Sequence, residues 1–147
     1  MWRIPAARMK MKRDHLVPLA AQAVAVLTEL QTLTGHRPYV FEATRRGRPL
    51  SENTINVALR TLGYTGDQMT AHGFRAMAST LLHELGWPPE VIELQLAHAQ
   101  RSQVAAAYNR SARLPERQKM MTAWADYLDT LKAADSNVTP IRAPSRK

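Results

Sequence analysis

Apolar side chains recur at three- and four-residue intervals over most of the chain, the pattern of helices that bury one face. Ala20–Leu33 carries Val24, Leu27 and Leu30 at core spacing and meets Gly35, a stop. Ser51 is a candidate N-cap for a second helix running to Leu62, with Ile55, Leu59 and Leu62 on one side and Gly63 closing it. A third begins after Met69–Ala71. Its apolar positions Phe74, Met77, Ala78, Leu81, Leu82 and Leu85 predict thorough burial, and Gly86 ends it. Pro88 and Pro89 open a fourth helix over VIELQLAHA, and Arg101–Asn109 reads as a short alanine-rich one. Leu114-Pro115-Glu116 begins the last, where Met120, Trp124, Leu128 and Leu131 form a stripe that suits a core. Only the N-terminus reads as sheet: WRIP and HLVPL form two short strands joined by the basic turn ARMKMKRD. Tyr39-Val40-Phe41 suggests one more short buried strand. The predicted class is mainly α with a small N-terminal β-hairpin.

Composition narrows the partners. A chain of 147 residues suits one domain, predicted here over residues 1–133, with a basic, disordered tail over 134–147. Its net charge of +8 and pI near 10.4 favour a polyanionic partner. The sequence holds no cysteine, which excludes disulfides, thiol catalysis and Cys-based zinc sites. No apolar run approaches the roughly 20 residues of a membrane span, and no signal peptide opens the chain. A GxxxxGK[ST] phosphate loop is absent, so no nucleotide cofactor is expected. Carboxylates are too sparse for a two-metal nuclease site. His83-Glu84 begins like HExxH, but Trp87 stands where the second His would be, so no metal is expected. His15 and His36 read as surface or turn residues.

The candidate chemistry lies between Thr70 and Arg110. His72 and Arg75 sit three apart and share a helix face; His98 and Tyr108 follow. Arg offers permanently charged planar donors to a phosphate oxygen, and His adds a donor or proton relay. Tyr, with a reference pKa near 10, attacks only where cations stabilise the developing charge and its proton is taken. In the order His72-Gly73-Phe74-Arg75, Leu96-Ala97-His98, Tyr108, the chain resembles the tyrosine recombinases, the phage-integrase family, and most closely the prophage-type integrases. Ala97 replaces that family's usual Gly, and Tyr108 stands ten positions after His98 where nine is commoner.

The resemblance implies a recombinase catalytic-domain fold, N-terminally truncated, acting on double-stranded DNA without metal or cofactor. Tyr108 would attack a scissile phosphate, form a 3′-phosphotyrosine bond and release a 5′ hydroxyl. Arg75 would stabilise the nonbridging oxygens, and His72 and His98 would donate hydrogen bonds or shuttle protons. By residue type alone the cationic hairpin tip is either a solvated loop or a phosphate-seeking finger. The resemblance favours the finger and gives Lys10 the role of protonating the leaving oxygen, with Lys12 its close rival and Arg13 beside them. The loop holding Arg45 and Arg46 is equally a solubilising loop or a phosphate contact. The helix after Ser51 would lie near DNA, offering Asn53 and Asn56. The resemblance further implies a homo-oligomer on DNA in the nucleoid of a bacterial cytoplasm. The family's first Arg, in a Gly-x-Arg-x-Gly-Glu-like turn, has no counterpart in these residues. Two readings follow: a strand transferase whose activity depends on that segment, or a noncatalytic DNA-binding relative.

Overall fold

A computed structural model describes residues 1–9, 12–43, 47–98 and 113–135. Strand β1 (Trp2–Ile4) pairs antiparallel with β2 (His15–Val17), in the register Trp2↔Val17, Arg3↔Leu16, Ile4↔His15. Asp14 sets the angle at which the chain leaves and re-enters this hairpin. Its Oδ2 accepts from Arg3 Nε at 2.9 Å, and its Oδ1 accepts from the Ala6 amide at 2.8 Å, which opens a 3-10 turn over Ala6–Arg8.

Five helices follow among the described residues: α1 (Ala21–Thr34), α2 (Thr54–Thr61), α3 (Ala71–Glu84), α4 (Pro89–Gln95) and α5 (Leu114–Asp135). The mainly helical fold with a two-stranded N-terminal sheet is the predicted one. Pro89 occupies the first turn of α4, where its missing N–H costs nothing.

Among the described residues the core lies where α3, α4 and α5 meet. Leu82, Val91, Ile92 and Met120 are its buried side chains, with Trp87, Leu96, Met121 and Trp124 packed around them. Each fully buried aliphatic side chain of this kind stabilises the fold by about 1.5–3 kcal/mol relative to exposure. The α5 stripe is therefore core at Met120 and Trp124, but Leu128 and Leu131 are exposed. Helix α1 is held to α5 by polar contacts: Gln22 Nε2 donates to Asp126 Oδ1 at 2.8 Å and to Asp129 Oδ2 at 3.0 Å.

Several burial expectations fail. Helix α1 contains no buried residue, and Val24 is exposed. On α2 only Leu59 is buried; Ile55 and Leu62 face solvent. On α3 only Leu82 is buried, while Phe74 and Leu85 are exposed. Tyr39, Val40 and Phe41 form no buried strand; all three are exposed, and the local pairing is a single bridge between Glu42 and Pro49. The reason is common to all: periodicity marks an apolar face, and the described residues bring no second element over these faces. Ser51 is not the N-cap of α2. That position is Asn53, while Ser51 Oγ lies 2.9 Å from Thr54 Oγ1.

Among the described residues three helices end on the same motif, in which the first residue past the cap takes the left-handed conformation and two amides fold back onto the last carbonyls. Gly63 (φ 94°) closes α2 with Gly63 N–H to Arg60 O and Tyr64 N–H to Leu59 O, both 3.0 Å. Gly86 (φ 80°) closes α3 with Gly86 N–H to His83 O at 3.0 Å and Trp87 N–H to Leu82 O at 3.1 Å. At α4 the same place is held by Ala97.

Candidate functional site

Two side-chain oxygens and a core-facing end fix helix α3. Thr70, the N-cap, accepts the Gly73 amide on its Oγ1 at 3.0 Å, and Asn56 Oδ1 accepts the Ala71 amide at 2.8 Å. Asn56, expected among DNA contacts, thus spends its carbonyl oxygen tying α2 to the start of α3. These bonds satisfy two of the amides that a helix start leaves unpaired. They hold rigid the turn that carries His72, which is exposed, and Arg75, which is half-buried.

Arg75 reaches across to the end of α4, where its Nη2 donates to the Leu96 carbonyl. That carbonyl lies two residues before His98, so the helix start and the helix end that carry the motif are joined directly. A guanidinium has five N–H donors, and this bond uses one.

Ala97 N–H donates to Leu94 O at 3.3 Å and His98 N–H to Glu93 O at 3.0 Å, completing the third helix-end motif. Ala97 holds φ at 52°, a conformation that crowds any Cβ. This gives a physical reason for the glycine usual in the Leu-Gly-His pattern. Replacing Ala97 by Gly relieves a strain of about 1–2 kcal/mol and gives back about 0.4–1 kcal/mol through the freer unfolded chain. The expected result is a gain of up to about 1.6 kcal/mol in urea unfolding; a loss of stability would contradict the assigned backbone. His98 itself is exposed, and its Nδ1 lies 2.6 Å from Glu93 Oε2.

Close by, two basic side chains, His15 and Arg117, gather on oxygens of β2 and α4. His15 Nε2 lies 3.2 Å from Gln95 O. Arg117, on α5 and only 4% exposed, donates from Nε to Gln95 Oε1 at 3.0 Å and from Nη2 to Leu16 O at 2.5 Å. Burial pulls its guanidinium below the ordinary range without discharging it. Gln95 is thus the junction of hairpin, α4 and α5. His15 is a part-buried strut and not the surface residue expected. Burial lowers its pKa first, Arg117 and Arg75 lower it further, and the Gln95 bond opposes them.

The consequence for stability has a definite sign. Because His15 is harder to protonate folded than unfolded, the unfolded chain takes up the extra proton as the medium acidifies. Stability should be full above about pH 6.5, the reference histidine value, and fall as pH drops from there toward the lowered folded value. Thermal unfolding across that window should show this decline, and His15→Gln should flatten it. An equal decline in the variant would remove His15 as the cause.

Of the other predicted positions, Lys12 is exposed at the hairpin, with φ at 50° and its amide on Met9 O at 3.0 Å; Arg13 is half-buried. Asn53 is exposed, its side chain making no capping bond. Lys10, Arg45, Arg46 and Tyr108 lie outside the described residues, as do the predicted Arg101–Asn109 helix and residues 136–147 of the predicted tail. Among the described residues no group of three His, Asp or Glu side chains could hold a metal ion, and no helix is long and apolar enough to cross a membrane.

Sequence reading missed Glu93, Gln95 and Arg117. For Arg117 a signal existed: it lies three residues before Met120 and seven before Trp124, on the apolar stripe of α5, where a charge must find partners.

Comparison with known proteins gives a consistent result. The model of the phage integrase family matches residues 1–114. The chain is 47% identical over 136 residues to the prophage integrase IntA of Escherichia coli K12, covering 92% of this chain and 32% of that protein. It is 43% identical over 145 residues to the integrase of Enterobacteria phage P4 (88% and 33%) and 38% identical over 130 residues to that of Shigella phage Sf6 (86% and 33%). The chain therefore spans about a third of the length of these relatives. No solved structure matches it.

Proposed function

The chain belongs to the phage integrase family, and from that premise we propose that it takes part in site-specific DNA recombination by cleaving and rejoining strands through Tyr108. The observation that carries this reading is the bond from Arg75 to the Leu96 carbonyl. It sets the His72–Arg75 turn against the helix end bearing His98, so polar side chains from two elements can face one phosphate. A phosphoryl transition state spreads negative charge over its equatorial oxygens, and fixed donors in a partly desolvated site stabilise that charge without reorganising.

Tyr108 Oη attacks phosphorus while His72 or His98 takes up its proton, the bond to the 5′ oxygen breaks, and a lysine of the hairpin, Lys10 or Lys12, gives a proton to the leaving oxygen. Bond energy is kept in the phosphotyrosine, so the reverse attack by a 5′ hydroxyl rejoins the strand. Arg13, Arg45, Arg46 and Asn53 supply backbone contacts on the duplex, and further copies of the chain assemble on the DNA. Arg117 does not supply a second phosphate donor, since it is buried and engaged with Leu16 and Gln95.

A duplex nicked close to the cleavage site tests the reading, because the short cut fragment diffuses away and the covalent complex accumulates. Wild-type chain should form a complex that survives denaturation, and Tyr108→Phe should form none while still binding DNA. Binding without attachment by the wild type would instead leave a noncatalytic DNA-binding protein.

A further inference from the structure

We infer that the cavity between the hairpin, α4 and α5 binds an organic carboxylate, with the buried Arg117 guanidinium as its main partner and His15 as a second donor, a role independent of the strand-transfer reading.

The cavity has a volume of about 410 Å³ and is lined by Arg3, Asp14, His15, Leu16, Leu94 and Arg117. Both hydrogen-bond partners of Arg117, Leu16 O and Gln95 Oε1, are neutral. Among the described residues no carboxylate lies within ion-pair distance of it. A permanent charge held out of water is costly unless a counter-charge meets it. Of the five N–H groups on a guanidinium, these bonds use two and leave three without a partner among the described residues.

His15 adds to the imbalance. Its Nε2 faces Gln95 O, which only accepts, so Nε2 carries the hydrogen. Nδ1 then has no partner among the described residues. Arg117 and Arg75 both act on this ring as like charges. An anion in the cavity answers that repulsion and lets Nδ1 take a proton and donate it.

The lining selects the class of anion. Leu16 and Leu94 offer apolar wall, which suits a carbon chain and leaves the extra oxygens of a phosphate without donors. Asp14 also lines the cavity, with its carboxylate accepting from Arg3 Nε at 2.9 Å and the Ala6 amide at 2.8 Å. Beside it a singly charged ligand is repelled less than a doubly charged one. A planar carboxylate also matches the planar guanidinium fork. The backbone of a duplex is too bulky to reach a side chain only 4% exposed. The carboxylate belongs either to a free small acid or to an acidic side chain of another polypeptide.

Binding should be coupled to a proton. The charged groups around the His15 ring are Arg3 of β1, Asp14, Arg75 of α3 and Arg117 of α5, while α4 contributes the neutral Gln95. By reference values only His15 titrates near neutrality. The empty site holds its pKa low and an anion raises it, so affinity should tighten as the medium acidifies toward the empty-site value, by at most about tenfold per pH unit for one proton.

The test is calorimetric titration of the 147-residue protein with sodium butyrate at constant ionic strength. Saturable binding is expected, tighter at about pH 6 than at about pH 7.5. Butyramide, which has the same shape without the charge, should not bind, and His15→Gln should remove the pH dependence. Arg117→Met should bind no butyrate. Because Arg117 also ties α5 to the hairpin, Leu94→Trp provides a second check: it fills the cavity, leaves both basic groups in place and should block binding. No saturable binding by the wild type, equal binding of butyramide, inorganic phosphate bound as tightly as butyrate, or unimpaired binding by Leu94→Trp would overturn the site. A blocked Gly-Glu-Gly peptide bound more tightly than butyrate would assign the cavity to an acidic side chain of a partner; weaker binding would assign it to a free acid.

Discussion

Arg75→Ala should slow covalent attachment to a nicked duplex by about 10²–10³-fold, the usual loss when one fixed donor to a developing oxyanion is removed. The effect belongs to the transition state, so affinity for intact DNA should change far less than the single-turnover rate. A structural loss accompanies it, because the Leu96 carbonyl loses its guanidinium partner. That loss is about 1 kcal/mol, the net worth of one hydrogen bond, too small to unfold the protein. Arg75→Lys separates the two effects. It keeps a charge near the phosphate and loses the planar fork, so it should recover part of the rate. A variant that binds DNA tenfold worse but attaches at the normal rate would make Arg75 a mere anchoring cation.

Arg117→Ala should cost about 2–4 kcal/mol of stability. Two hydrogen bonds from a charged donor, each worth about 1.5–3 kcal/mol, disappear from Leu16 O and Gln95 Oε1. Relief from keeping a charge out of water offsets part of the loss. Urea unfolding should show the drop, and Arg117→Met, which refills most of the volume, should recover some of it. An unchanged midpoint would mean that water replaces the guanidinium at no cost, and that α5 is not tied to the hairpin through Arg117.

The order of the helices, the hairpin and the glycine stops was legible in the sequence because each has a local cause. Pro89 can only begin a helix, and Gly63 and Gly86 accept a positive φ. Burial was not legible. Val24, Ile55 and Phe74 have core spacing, yet whether a face is covered depends on elements distant in sequence. The described core draws on α3, α4 and α5 alone.

At the site, types and order pointed to His72, Arg75 and His98, since only a few side chains serve a phosphate. The support beneath them was hidden. Gln95 matters through its main-chain carbonyl as much as its side chain, and no residue code reveals that. Arg117 went unread although it lies on the apolar stripe of α5, because buried arginines are rare. Glu93 becomes visible only once Ala97 is known to be left-handed, which brings positions 93 and 98 together.

The central claim, that Tyr108 joins this chain to DNA, is tested most directly by locating the linkage itself. Protein trapped on the nicked duplex is digested with protease and nuclease, and the nucleotide-bearing peptide is fragmented in a mass spectrometer. The account predicts a 3′-phosphate joined to Tyr108 in the peptide around Ala107-Tyr108-Asn109. A linkage on any other side chain, or one to the 5′ end of the cut strand, would contradict it.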